Sequence, residues 1–378
     1  MAKKQKTSKA LVACLVLFAL LFGFVFGFYG YTLYGLPTSD ERPTEGAYSE
    51  HLTGMASGEM EIHFLELGNK YTGDCTYIRV GEVDVLIDAG SRTDSIPTIS
   101  AFLKAHMKDD VLEYVVVTHA HQDHYAGFAT GTSTDSLFDL FKVDTIIDFA
   151  RTNQKASATM YSNYIRERDA EIAAGAKHYT ARECIEQNKD VFALSESVTM
   201  KVLDSKYYYE DASTENDYSV CLLFSQGDYH YLFTGDLEEG GEQALVEMND
   251  LPQVLLYKAG HHGSKTSSST TLMKTIKPKI VCVCCCAGSP EYTEHDANQF
   301  PTQEFVDRVA PYTDLVYVTT LCLNYDATTK AEQFTSMNGN ITVTIKDGVL
   351  TVECSNSNKI LKEWQWFEEH RTMPAAWK

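Results

Sequence analysis

Positive charge is scarce in this chain relative to negative charge. Thirty-two lysines and arginines stand against fifty-two aspartates and glutamates, a formal net charge of −20 over 378 residues. Such a surface repels polyanions, because nucleic-acid affinity rests largely on Lys and Arg at phosphates. It argues against tight sequence-independent nucleic-acid binding, while leaving room for a small metal-centred site that handles a phosphodiester. Heptads, solenoid periods and low-complexity tracts are also missing, which excludes coiled coils and repeat arrays. Charged residues make up 22% and hydrophobic ones 44%, an ordinary globular balance. The spacing expected of a disulfide framework is absent too, although there are ten cysteines. Cys282, Cys284, Cys285 and Cys286 lie inside the apolar run Lys279–Ala287. Neighbours on a strand point to opposite faces and pair poorly, so these read as small buried hydrophobes; a Cys-rich metal site is the alternative.

Charge of either sign is absent between Ala10 and Phe28, a run rich in Leu, Phe and Val. As a helix it would be about 29 Å long, close to the hydrocarbon thickness of a bilayer. Lys3, Lys4, Lys6 and Lys9 precede it, and Tyr29, Tyr31 and Tyr34 follow where an aromatic belt would sit. The positive-inside rule then leaves the N-terminus in the cytoplasm and the rest outside. A cleaved signal peptide, with a secreted product, is the alternative, but no small-x-small cleavage site follows the run cleanly. The expected organisation is a membrane anchor over 1–35, a polar linker over 36–58, one domain over 59–356 and a tail over 357–378.

Within the domain the periodicity predicts strands at Glu61–Leu67, Cys75–Val80, Val83–Ile87, Val111–Val117, Val143–Phe149, Ser197–Leu203, Val254–Lys258, Lys279–Ala287 and Leu315–Thr319. Hairpins are predicted for Ser219–Ser225 with Tyr229–Phe233, over Gln226-Gly227-Asp228, and for Ile341–Lys346 with Val349–Cys354, over Asp347-Gly348. Helical spacing covers Ile96–Lys108, Tyr161–Ala174, Glu242–Met248, Ser269–Ile276 and Thr302–Val309. Hairpins and crossovers together imply two sheets flanked by helices.

The densest chemical signal is Thr118-His-Ala-His-Gln-Asp-His-Tyr-Ala-Gly127, directly after a strand-like run. Neutral imidazole and ionised carboxylate are the ligands a borderline divalent cation takes. On an extended exit from a strand His119 and His121 point to the same side, and Asp123 and His124, just beyond, turn toward a second cation. Other polar residues also end strand-like runs: Asp88, Asp236, and the pair His261-His262. Groups of this kind, far apart in sequence, suit a site on the rim of a sheet sandwich. As a bland alternative, Asp88 is a turn residue and Asp236 a helix N-cap.

These stretches, with Phe64-Leu-Glu-Leu-Gly68, Gly73-Asp74, Asn216-Asp-Tyr-Ser219, Thr234-Gly-Asp236 and Gly260-His-His-Gly-Ser-Lys-Thr-Ser267, resemble the metallo-β-lactamase superfamily. More narrowly they resemble the soluble domain of ComEC-type competence proteins. The resemblance covers about Met60 to Cys354 and implies an α/β fold, an αββα sandwich with a dinuclear site at one edge. Carried over, His119 and His121 would hold the first cation. Asp123, His124 and His262 would hold the second, and Asp236 would bridge both. Asp88 would orient the histidine loop from behind. Asp236, His261 and Asp123 would be the catalytic residues, with His261 contacting substrate or donating a proton. The cofactor implied is two divalent cations, zinc in the first place, with manganese or iron as alternatives. The sequence departs from the pattern twice. The histidine that many relatives add to the first cation has only His178 as a candidate. Where a His-Pro is usual, Phe300-Pro301 stands.

The function implied is a metal-dependent hydrolase of phosphodiester or phosphate-ester bonds, acting on a polymer such as extracellular nucleic acid or teichoic acid, or on a small substrate. A non-catalytic DNA-uptake or envelope-binding accessory protein is the alternative, and a lactam or amide hydrolase a third.

Overall fold

The strands in chain order are β1 Tyr48–His51, β2 Glu59–Phe64, β3 Thr76–Val80, β4 Val83–Ile87, β5 Val111–Val116, β6 Lys142–Asp148, β7 Lys177–Thr180, β8 Val191–Ala193, β9 Val198–Val202, β10 Leu222–Gln226, β11 Tyr229–Phe233, β12 Leu256–Lys258, β13 Ile280–Ala287, β14 Val316–Asp326, β15 Ala331–Ser336, β16 Ile341–Lys346 and β17 Val349–Cys354. The computed structural model from which they are read describes residues 46–54, 58–132, 134–326 and 331–378. They form two mixed sheets, ordered β1-β17-β16-β2-β3-β4-β5-β6-β7 and β15-β14-β13-β12-β11-β10-β9-β8.

Alternation explains how the sheets stack. Met60, Ile62 and Phe64 of β2 and Ile341, Val343 and Ile345 of β16 are buried in one core with Met200, Phe224, Phe233, Cys282 and Cys284 of the second sheet. The rings of Phe64 and Phe233 meet across the layers at 6.1 Å. The opposite faces of the same second-sheet strands, including Leu232, Val281, Val283 and Cys285, pack on helices Glu239–Met248, Thr270–Ile276 and Gln303–Val309. Helix Ile96–His106 lies against the first sheet, with Phe102 edge-on to Tyr77. The layering is therefore helix, sheet, sheet, helix, as expected. Of the strand cysteines, Cys282 and Cys284 join the core between the sheets and Cys285 the outer core of the second sheet, as small buried side chains.

The described residues from Gly46 to Lys378 belong to one compact unit. Tyr48–His51, within the stretch read as linker, pairs antiparallel with β17. Trp366, Phe367 and Trp377, within the stretch read as tail, join the outer core of the second sheet. No helix among the described residues is long and apolar enough to cross a membrane, and the run Ala10–Phe28 lies outside them.

Two parallel blocks position the site. β4, β5 and β6 run parallel in the first sheet, and β11, β12 and β13 in the second. The segments that leave β4, β5, β11 and β12 carry Asp88, the histidine loop, Asp236 and the His261-His262 pair respectively. Polar side chains gather there because strand ends free the chain from the ladder and open onto the crevice between the sheets.

Candidate metal centre

The histidine loop is clamped by backbone. Asp74 N–H donates to the Asp123 carbonyl at 3.0 Å, Ala89 N–H to the His124 carbonyl at 2.7 Å, and Gly90 N–H to the Asp74 carbonyl at 2.9 Å. The approach is so close that a Cβ on Gly90 would lie 1.5 Å from the Asp123 carbonyl oxygen, so only glycine fits. Glu215, buried below the loop, accepts from Ala120 N–H at 3.2 Å, Asn153 N–H at 2.6 Å and Thr152 Oγ1 at 2.8 Å. Ala120 is thereby fixed between His119 and His121.

The six expected ligands converge. His119 Nε2 lies 3.0 Å from His121 Nδ1. The rings of His119 and His124 are 4.2 Å apart. His124 Nε2 and His262 Nε2 approach the same oxygen, Asp236 Oδ2, at 3.1 and 3.2 Å. Asp123 Oδ2 is 3.4 Å from His262 Nε2. The outer nitrogens are held from behind. His124 Nδ1 is 2.8 Å from Asp88 Oδ2, and His262 Nδ1 is 2.9 Å from the Cys284 carbonyl. With the ring N–H committed outward, each Nε2 presents a lone pair inward, the arrangement in which protein holds a metal-binding imidazole.

Backbone strain accompanies this arrangement. Asp88 has φ of 59°, His261 of 44° and His262 of 55°, all left-handed without glycine. Such residues persist only where the surroundings over-determine them. For Asp88 the determinants are its bonds from Thr118 N–H and Thr118 Oγ1, both 2.8 Å. The geometry also separates His261 from His262. His262 is buried with its Nε2 in the cluster. His261 stands at the rim, its side chain 21% exposed, with Nε2 4.0 Å from Asp236 Oδ2 and Nδ1 2.9 Å from Thr266 Oγ1.

Electrostatics point the same way. Burial works against a proton on His124, yet the charges of Asp236 and Asp88 outweigh it and raise its pKa well above the usual imidazole value. His262 is raised likewise, by Asp236 and Asp74 against burial. His119 is depressed, first by burial and then by the charge of His124, so its ring stays neutral and able to ligate.

The candidate for an extra histidine ligand, His178, lies elsewhere. Its Nε2 is 2.8 Å from Asp148 Oδ1, and Asp148 also accepts from Tyr164 and Arg168, a structural ion-pair cluster. Phe300 does border the site, its ring 5.8 Å from that of His261 and 5.9 Å from that of His262. His295 is exposed on the surface.

Of three further neighbours of the site, Tyr292 and Lys258 escape the sequence reading, and Asp74 figures there only within Gly73-Asp74, without a role. Tyr292, about half exposed, donates from its hydroxyl to Asp123 Oδ2 at 2.5 Å; 169 residues of separation leave no signal for it. Lys258 is buried and ion-paired with Asp74. Its signal is a lysine inside the otherwise apolar Val254–Ala259. Asp74 itself falls within 4.8 Å of donor atoms of His124, Asp236 and His262, a set able to hold a cation. Its carboxylate, however, is 3.2 Å from His262 Nδ1 and 3.8 Å from His124 Nδ1, the outer nitrogens of both rings. Asp74 therefore stands behind the imidazoles whose inner nitrogens face Asp236.

The donor set fits divalent cations. His124 Nε2 and His262 Nε2 are buried without any hydrogen-bond partner. Buried polar atoms are costly in that state, and a shared cation is what such a convergence of imidazole and carboxylate accommodates.

Residues 68–133 match the model of the metallo-beta-lactamase superfamily. The chain is 35% identical over 75 residues to ComE operon protein 3 of Bacillus subtilis, covering 19% of this chain and 9% of that protein. It is 33% identical over 69 residues to Recombination protein 2 of Haemophilus influenzae, covering 18% and 8%. The chain thus spans under a tenth of the length of these curated relatives. Among solved structures, the metallo-beta-lactamase fold protein YhfI of Bacillus subtilis is similar at 11% identity and TM-score 0.42, covering 73% of this chain and all of that one. The diiron β-hydroxylase CmlA of Streptomyces venezuelae is similar at 14% identity and TM-score 0.34, covering 70% and 45%. The matched stretch contains the whole histidine loop, and over it the chain is similar to the metallo-beta-lactamase superfamily and to parts of these two curated proteins.

Proposed function

We propose that the chain is a metal-dependent hydrolase of phosphodiester or phosphate-ester bonds. The observation that carries this reading is the convergence of two outward-anchored imidazoles on Asp236 Oδ2, with Asp123, His119 and His121 beside them. Two divalent cations, zinc in the first place, would be held by His119 and His121 on one side and by Asp123, His124 and His262 on the other, with Asp236 between. When bound, they supply Lewis-acid activation of water and of the ester oxygen.

The chain's own residues do the rest. Asp88 and the Cys284 carbonyl orient the two inner imidazoles. His261, at the rim and braced by Thr266, is placed to bond a substrate oxygen or pass a proton to the departing alkoxide. The rings of Phe300 and Tyr292, 5.7 Å apart, border one side of the site. No protein nucleophile is called for. The nearby thiols are unfit for the role, burial pushing Cys285 up to about 12. A lactam hydrolase is less well supported, since His178 is engaged by Asp148 rather than by the centre.

The basic flank and apolar run near the N-terminus support a membrane-anchored chain with this domain outside, facing envelope polymers or incoming nucleic acid. Turnover of bis-p-nitrophenyl phosphate by the metal-loaded chain, with nitrocefin untouched, is the expected result. Nitrocefin turnover without phosphodiester cleavage would reverse the reading.

A further inference from the structure

A buried lysine beside a cation site needs an explanation. Lys258, the last residue of β12, is 3% exposed, in a region already crowded with groups that attract positive charge. Its ammonium contacts the Asp74 carboxylate, donates to the Gly235 carbonyl at 3.3 Å and lies 3.7 Å from Asp236 Oδ1.

The two oxygens of Asp236 have different surroundings. Oδ2 faces His124, His262 and His261 at 3.1, 3.2 and 4.0 Å, whereas Oδ1 turns to Lys258. Asp74, held by the same ammonium, faces the outer nitrogens of His262 and His124. Asp74, Asp88, Thr118 and Lys258 are all buried and border a cavity of about 10 Å³. A fixed charge in such a place sets orientation strongly.

We propose that Lys258 is a positioning residue of the cation site: it draws Asp236 Oδ1 aside, leaves Oδ2 as the oxygen offered to the cations, and pins Asp74 behind the two imidazoles. The inference rests on reading the cluster as a divalent-cation site. Removing Lys258 alone would strand the buried Asp74 charge. The test therefore removes the pair together, as Asp74→Asn with Lys258→Met in the full chain, and follows cobalt(II) by its absorption spectrum and by competition with a chromophoric chelator.

The expected result is a folded variant that still takes up cobalt, with affinity lowered about 10- to 100-fold, the scale of lost outer support, and with an altered ligand-field spectrum. Wild-type affinity and spectrum, with only thermal stability reduced, would overturn the proposal. Should the double variant fail to fold, Asp74→Asn alone is read, since the amide keeps the shape. Unchanged stoichiometry with weaker binding is then expected. Unchanged affinity overturns the proposal, and loss of a whole ion, matching His262→Ala, would make Asp74 a ligand and overturn it as well. A wild-type chain that takes up no cobalt refutes the cation site itself, and the proposal with it.

Discussion

Replacing Asp88 by asparagine isolates the outer support of His124. Asparagine has the same shape and tolerates the left-handed backbone, here with φ of 59°. The Asp88 carboxylate accepts three bonds, from Thr118 N–H, Thr118 Oγ1 and His124 Nδ1, each 2.8 Å. If the amide oxygen stays with Thr118 N–H, the amide NH2 is left facing the ring. Thr118 Oγ1 can rotate to accept, but the His124 N–H cannot bond a donor. The loss is one charge-assisted hydrogen bond, about 1.5–3 kcal/mol. That converts to about 10- to 100-fold weaker cation binding, the range seen when outer partners of metal-binding histidines are removed. Chelator competition on the full chain measures it, with circular dichroism as the check on folding. A folded Asp88→Asn chain with undiminished affinity would refute the assignment of His124 as a ligand held from behind.

His121→Ala and Asp236→Asn should each lower phosphodiesterase turnover by at least about a hundredfold, the scale expected when activation of the attacking water is lost; steady-state kinetics on folded variants decide. His178→Ala should leave metal content unchanged by elemental analysis while lowering thermal stability, because buried Asp148 loses a partner. Gly90→Ala should destabilise the fold by about 1–3 kcal/mol, as overpacking does, and weaken metal binding by displacing Asp123; chemical denaturation and chelator titration read both. Glu242, buried in helix Glu239–Met248, accepts from Ser268 and Ser269 N–H at 2.6 Å each, and burial pushes its pKa up to about 7. A raised carboxyl pKa gives stability that is complete below the unfolded value and is lost as pH rises through 7. Between pH 4 and 8 the wild type should therefore lose about 3 kcal/mol relative to Glu242→Gln, measured as the difference between their denaturation midpoints; parallel pH profiles would contradict it.

Where the chain alternates apolar and polar residues between two neighbours, the strand was legible, as in β2, β11 and β16. The strands that escaped are β1, β7, β8 and β15, which stand at the four edges of the two sheets. An edge strand packs on one side only, so Tyr48–His51 and Lys177–Thr180 carry too little apolar period to announce themselves. The histidine loop was legible because its ligands are contiguous, and Asp236 and His262 because each follows an apolar run. Asp74 and Lys258 were visible as residues but not as a pair. Their partnership depends on β12 and the Gly73-Asp74 turn meeting across the two sheets, which no local spacing encodes. The resemblance put His262 rather than His261 at the second cation, but the geometry that separates them, consecutive left-handed residues that turn one ring inward and leave the other at the rim, is not encoded in local spacing.

The central claim is that this chain holds divalent cations at the meeting point of the two sheets. Elemental analysis of the full chain, purified without chelator and then equilibrated with zinc or manganese, tests it most directly. The account predicts about two ions per chain, falling in His124→Ala and His262→Ala but not in His178→Ala. A folded wild-type chain that retains no metal under either condition would contradict it.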